Sequence, residues 1–255
     1  MNLNDQDHRR HEAWGPVLVV RFVWTIVSIF VVESLIVGIA ALPTVAFFEW
    51  HASLDLSPRW LKVMIVSMSL IPAYVIFSII LMAASALAMR LLRWRPPRHG
   101  DLRISLLEPE LCNWGRYMIS TYVVRTLVGP FTQATLVWTW YMRMNGAKVG
   151  HRVWVNSLGV TDHCNIELGD GVVIGAGVHM SGHTVENGVV KIAPVHVGSG
   201  STIGINSHVQ IGVHIGDRCQ IGSMSLVPKF TRLEGPGTWA GLPVRRVDTN
   251  KTPVS

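Results

Sequence analysis

A six-residue beat sets what this chain can become. Val197, Ile203, Val209, Ile215, Ile221 and Val227 are aliphatic, and each follows the last by six residues. A glycine comes directly after four of them (Gly198, Gly204, Gly216 and Gly222), and a small or compact residue lies four positions after five of them: Ser201, Ser207, Val213, Cys219 and Ser225. With roughly a third of residues aliphatic, six hits in one register arise about once in a thousand trials. Repeats of this length fold as a parallel β-helix, in which short strands turn a corner every six residues. The first and fifth positions of each hexad then point inward, and the others face solvent or a neighbouring subunit. The beat extends upstream through Leu168, Ile174 and Met180, with Val172, Val178 and Thr184 as inner partners, and faintly to Val149 and Val155.

The remainder of the 255 residues is of another kind. Before about residue 145 the chain is rich in Leu, Ile, Val, Met and Trp, and two apolar runs, Val17 to Phe48 and Leu61 to Leu92, are each long enough to cross a bilayer. Pro43 is expected to end the first span and Pro72 to kink the second. Tryptophans mark the membrane boundaries, Trp50 and Trp60 beside the connecting loop and Trp14 and Trp94 on the other side. That loop carries Asp55, whereas Arg9, Arg10, Arg21, Arg90, Arg93, Arg95, Arg98 and Arg103 gather at the far ends, so both termini are expected in the cytoplasm. Such a distribution fits a juxtamembrane surface and membrane lipids, not nucleic acid, for which interleaved aromatics are missing. A third apolar stretch, Tyr117 to Met142, is broken by Arg125, Gly129-Pro130, Thr132 and Gln133, and reads as two short interfacial helices. The expected order is a cytoplasmic segment 1–15, two transmembrane helices in 16–95, interfacial helices in 96–147, the β-helix in 148–247 and a tail 248–255. The polar start leads into a run too long for a cleavable signal, so none is expected. Cys112, Cys164 and Cys219 have no metal spacing and read as free thiols of a reducing compartment. Glu33 lies mid-span, either a functional carboxylate or a residue packed near Ser67 or Ser69.

Between Ser181 and Pro194 the beat is interrupted, which reads as a loop ejected from a rigid coil. It holds His183 and Glu186, and side chains on such a loop are well placed for a site. The segment SGHTVENGVVKIAPVHVGSGSTIG, the closing AGLPVRRV and the upstream VTDHCNIELGDG resemble the galactoside and maltose O-acetyltransferases of the hexapeptide acyltransferase superfamily. That resemblance, from Val149 to Val247, implies a left-handed β-helix, a homotrimer with clefts between subunits, and acyl-CoA as co-substrate with no tightly bound cofactor. It implies His183 as general base, Asp162 beside the acceptor, and Asp162 or Glu186 as the carboxylate that orients the imidazole. It further implies a pantetheine path at Gly204 and Ser223, with Lys229 and Arg245 near the phosphates. The chain departs from that family in its shorter loop, in His163 after the aspartate, and in its anchor. Two spans followed by YMRMNGAKVGHRVWV and a β-helix resemble one carboxy-terminal repeat of polylysine-synthetase-like non-ribosomal peptide synthetases, which implies a carrier-protein thioester as an alternative donor and a synthetase as a partner.

The expected function is therefore a membrane-anchored acyltransferase, facing the cytoplasm from the inner membrane, acting on a hydroxyl or amine. The alternative is a non-catalytic trimeric scaffold for a synthetase or transporter. His179, His196 and His214 each occupy the sixth position of a hexad and are expected to stack on one outer face. The His-x4-His spacing of γ-class carbonic anhydrases is absent, and no metal is expected.

Overall fold

The computed structural model describes residues 15–54 and 57–247. The expectations placed on Arg9, Arg10, Trp14, Asp55 and the tail 248–255 lie outside the described residues. Helices α1 (Pro16–Ser53) and α2 (Arg59–Leu91) form an antiparallel pair, and both are long and apolar enough to cross a membrane. Most of their surface is bare: Phe30, Leu42, Met68 and Ile71 are among the exposed large apolar side chains. Trp50 and Trp60 are also exposed, beside the connection between the helices. Pro43 does not end the first helix, which runs on to Ser53. Proline removes one N–H from the i→i−4 ladder, and a helix packed along a neighbour tolerates that single loss. Trp94 is no boundary anchor either, being buried with Met89 and Tyr117 beneath the Arg116 guanidinium, 5.1 Å from its ring.

The chain then forms a strand, β1 (Gly100–Arg103), and three helices, α3 (Pro109–Leu127), α4 (Gly129–Thr132) and α5 (Leu136–Met144). Breaks do fall at Gly129-Pro130 and Gln133, but they leave three helices rather than the two short ones expected, the first of 19 residues, and among the described residues only α1 and α2 qualify as spans. Ile119, Tyr122, Leu127, Phe131, Leu136 and Trp140 of this region remain exposed.

From residue 148 the chain winds as a coil. The strands β2 (Lys148–Val149), β3 (Trp154–Val155), β4 (Ile166–Leu168), β5 (Val173–Ile174) and β6 (His179–Met180) lead to β7 (His183–Glu186) and β8 (Val189–Ile192). Winding resumes with β9 (Val195–Val197), β10 (Thr202–Ile203), β11 (His208–Val209), β12 (His214–Ile215), β13 (Cys219–Ile221), β14 (Leu226–Val227) and β15 (Arg232–Leu233), and ends in β16 (Gly237–Gly241) and β17 (Val244–Arg246). Three sheets result, with parallel pairing along the coil. One carries β3-β5-β10-β13-β16, the second β6-β11-β14, the third β2-β4-β9-β12-β15. Ile203 pairs with Ile221 and His214 with Arg232, eighteen residues on, which is three hexads per turn.

The beat explains the packing. Ile174, Met180, Val197, Ile203, Val209, Ile215, Ile221 and Val227 are all buried, while the residue preceding each is exposed or half-buried. Each fully buried aliphatic contributes about 1.5–3 kcal/mol. The compact fifth positions lie at corners where only a small side chain fits, and there the serines stitch turns together. Ser201 Oγ donates to the Gly216 carbonyl (2.8 Å) and accepts the Cys219 N–H (2.9 Å), and Ser207 does the same with Gly222 and Ser225 (2.9 and 3.2 Å). Thr184 breaks this rule: it is half-buried and lies outside the winding. The core is continuous with the helices, since Trp138, Tyr141 and Met142 of α5 are fully buried in the same apolar cluster as Val155, Val160 and Ile166.

Candidate active site

The interruption after Ser181 is not a loose loop. Strands β7 and β8 pair antiparallel as a hairpin, and β1 adds to its outer edge, Gly100 opposite Ile192 and Arg103 opposite Val189. The stretch 96–147, expected to form juxtamembrane and interfacial helices, thus also supplies a strand to the site. Beneath the hairpin, Val190, Ile192 and Leu102 pack against Leu111 of α3 and against Leu107 and Trp114. His183 is held at the base of this hairpin, where the coil ejects it.

Asp162 faces it from the preceding turn of the coil. Its backbone is left-handed (φ 50°), a conformation that aspartate tolerates better than most residues, and a 3-10 turn, His163–Asn165, follows. Asp162 is 2% exposed, and its carboxylate collects five donors, one of them the neighbouring Thr161 O–H, 3.4 Å from Oδ2. Oδ2 accepts His183 Nδ1–H at 2.5 Å, Ser181 O–H at 3.0 Å and the Gly182 N–H at 3.1 Å, while Oδ1 accepts Trp114 Nε1–H at 3.1 Å. Burial opposes its charge, but the bonds from His183, Ser181 and Trp114 and the nearby imidazole hold its carboxyl below the ordinary aspartate range. Gly182 is required between them, because a Cβ there would lie 2.6 Å from Asn165 Cβ and 3.1 Å from Asp162 Cβ.

Nδ1–H of His183 is thereby committed, and Nε2 keeps its lone pair. The His183 side chain is 21% exposed and lines a cleft of about 310 Å³ with His179, Ser181, Thr184, His208 and Gln210. Gln210 Oε1 accepts the Lys229 N–H at 3.1 Å, which leaves its NH₂ group as a donor. Trp114 closes the other side, its ring 4.9 Å from the imidazole in an edge-to-face arrangement.

The expected site residues divide. Asp162 and His183 meet, whereas Glu186 does not orient the imidazole: it sits at the far end of β7, where its carboxylate pairs with Lys229 and lies 3.5 Å from Lys191 Nζ. Gly204 and Ser223 stack on successive turns, Ser223 N lying 2.5 Å from where a Gly204 Cβ would be. They flank the corner entering the β11–β14 face, and His183 departs from the opposite corner. Arg245 is exposed on β17. His163 is buried between the Trp138 and Tyr141 rings, 5.9 and 5.7 Å away, and burial pushes it down to about 4. The three outer histidines do not share a face. His179 lies beside His208 on one sheet (5.5 Å, tilted by 39°), and His196 stacks on His214 on another (4.5 Å, 8° apart), because the coil advances by eighteen residues while the hairpin shifts the register by eleven more. No group of three or more His, Cys, Asp or Glu able to hold a metal occurs among the described residues. Sequence reasoning did not single out Trp114, His208 or Gln210: His208 precedes Val209 as His179 precedes Met180, which was a legible signal, while nothing near Trp114 announced its role.

Comparisons with known proteins match part of the chain. No family model matches the chain. A delta-poly-L-ornithine synthetase of Acinetobacter baumannii is 20% identical over 113 residues, which make up 44% of this chain but 8% of that protein. Among solved structures, a maltose O-acetyltransferase from Clostridium difficile is 25% identical, with a TM-score of 0.34, over 41% of this chain and 59% of that one. A galactoside acetyltransferase in complex with coenzyme A is 25% identical, with a TM-score of 0.36, over 44% of this chain and 69% of that one.

Proposed function

We propose that this protein is a membrane-anchored acyltransferase that moves an acyl group from a thioester, acyl-CoA or a carrier-protein thioester, to a hydroxyl or amine. The observation that carries the reading is the buried Asp162 carboxylate 2.5 Å from His183 Nδ1, beside a cleft lined by the same imidazole. His183 Nε2 takes the proton of the acceptor O–H or N–H as the acceptor attacks the thioester carbonyl carbon. The carbonyl oxygen becomes an oxyanion, for which the Gln210 NH₂ and coil N–H groups are donors within the fold. Collapse breaks the carbon–sulfur bond, and the proton held by His183 passes to the departing thiolate. Asp162 fixes the tautomer and steadies the imidazolium between these steps.

In this reading the coil is left-handed and three copies associate, so that one subunit's hairpin faces a neighbour's Gly204–Ser223 corner. The pantetheine arm lies along that corner. Arg245 and Lys229 meet the phosphates, which draw Lys229 from Glu186. The helices α1 and α2 anchor the trimer in the inner membrane with the coil on the cytoplasmic side, where thioesters are made, and a lipid-linked or peptide-like acceptor fits that location. Titrating acetyl-CoA into the detergent-solubilised full chain by calorimetry tests the donor. Saturable binding that weakens in Arg245→Ala is expected. A folded protein with no heat of binding for acetyl-CoA or an acyl-carrier protein favours the scaffold role instead.

A further inference from the structure

The polar groups around His183 are not all supplied by the coil. Trp114 belongs to α3, sixty-nine positions before His183, in the helical region that follows the spans. Its indole makes two distinct contacts. Nε1–H donates to Asp162 Oδ1, the oxygen that His183 does not use, and the ring packs against the imidazole in a T-shaped arrangement. The two contacts constrain different members of the pair, one the carboxylate plane and one the ring. Without the indole donor, the charged Oδ1 of a nearly fully buried carboxylate loses its one strong partner, since Ser181 and Gly182 both serve Oδ2.

Helix α3 is itself fixed from the membrane side. Two residues after Trp114, the buried Arg116 donates through Nε to Ser28 Oγ (2.9 Å) and through Nη2 to Thr25 Oγ1 (3.4 Å), both on α1. The same guanidinium donates to Asn113 Oδ1 at 2.9 Å and lies over Trp94. Arg21, also on α1, donates to the Leu107 carbonyl at 3.0 Å just before α3 begins. Helix α3 thus bonds the first apolar helix through Arg116 and the carboxylate of the site through Trp114.

We propose that Trp114 is a positioning residue for the Asp162–His183 pair, and that its seat on α3, tied by Arg116 to α1, makes the geometry of the pair depend on the docked first helix. This rests on the acyltransferase reading for its effect on turnover, but not for its effect on the hydrogen bond. Trp114 is only half-buried, so a planar replacement is tolerated. Trp114→Phe keeps a ring beside His183 and removes the donor; Arg116→Met keeps the stem and removes the tie.

The test follows the His183 Nδ1 proton by downfield proton NMR of the full chain in detergent, with His183→Ala to assign the signal, alongside release of the donor thiol during acyl transfer. A bond of 2.5 Å between imidazole and carboxylate gives a far-downfield proton. In Trp114→Phe and Arg116→Met that signal is expected to move or broaden, while kcat falls about tenfold and KM for the thioester stays within about twofold. An unmoved signal and an unchanged kcat in Trp114→Phe overturn the inference. If His183→Ala retains full turnover, the acyltransferase reading fails, and the NMR signal in Trp114→Phe still decides the positioning role.

Discussion

His163 and His183 show how one residue type takes opposite tasks from its surroundings. His183 has a carboxylate at Nδ1 and a cleft at its other side. One residue after Asp162, His163 is sealed between aromatic rings, with Nε2–H donating to the Val160 carbonyl and Nδ1 buried without a partner. Its depression to about 4 has a consequence for stability. Unfolded, the imidazole titrates near 6.5, so between about 6.5 and 4 the unfolded chain binds a proton that the folded chain refuses. The folded state is fully favoured above about 6.5 and loses roughly 3 kcal/mol as the pH falls to 4. Asp162 acts in a lower window: its folded value is depressed, so its contribution is present above about 4 and is lost as the pH falls further. Denaturant unfolding of wild type and His163→Gln at pH 7 and pH 5 separates the two. The wild-type loss between those values is expected to shrink in the variant.

At the scale of the element, what the sequence revealed and what it hid have different physical causes. The inward positions of the coil were legible because a six-residue period repeats the same packing requirement turn after turn. The serines among them also close hydrogen bonds across the corners, so Ser201→Ala leaves the buried Cys219 N–H without its acceptor. A loss of about 1–3 kcal/mol is expected, read as a fall in the thermal midpoint. The hairpin was read only as a missing beat, although Asn187-Gly188, both at positive φ (50° and 75°), closes a two-residue turn between Glu186 and Val189 and was a legible signal. The addition of β1 to its edge was not legible, because Arg103 and Val189 are far apart in the chain and long-range pairing leaves no local period to detect. Pro43 was misread because its cost was weighed against an isolated helix rather than one supported by α2. Glu186 was ambiguous for a related reason: its distance in sequence from His183 is short, but along a strand three residues carry it to the other end of the hairpin and into the reach of Lys229.

Across the whole molecule, the notable feature is a single apolar core that runs from α1 and α2 through α5 into the coil. Composition suggested two unlike parts, and the surfaces are indeed unlike. The interior is shared, because α5 fills the open end of the coil with Trp138, Tyr141 and Met142. Glu33 follows the same logic: its carboxyl oxygens are buried on the side of Ser120 of α3, and not beside Ser67 or Ser69, whose hydroxyls bond their own helix. Helices, hairpin and coil therefore meet at one place, where α3 brings Trp114 to Asp162 and the coil brings His183.

The most direct trial of this account is the rate of thiol release from acetyl-CoA or an acyl-carrier protein by the purified full chain, with membrane extract as the source of acceptor, compared between wild type and His183→Ala. The variant is expected to bind the thioester as before and keep its thermal midpoint, while turnover drops about 10²–10⁴-fold, the usual worth of a general base. Turnover equal to wild type in a properly folded His183→Ala protein would contradict it.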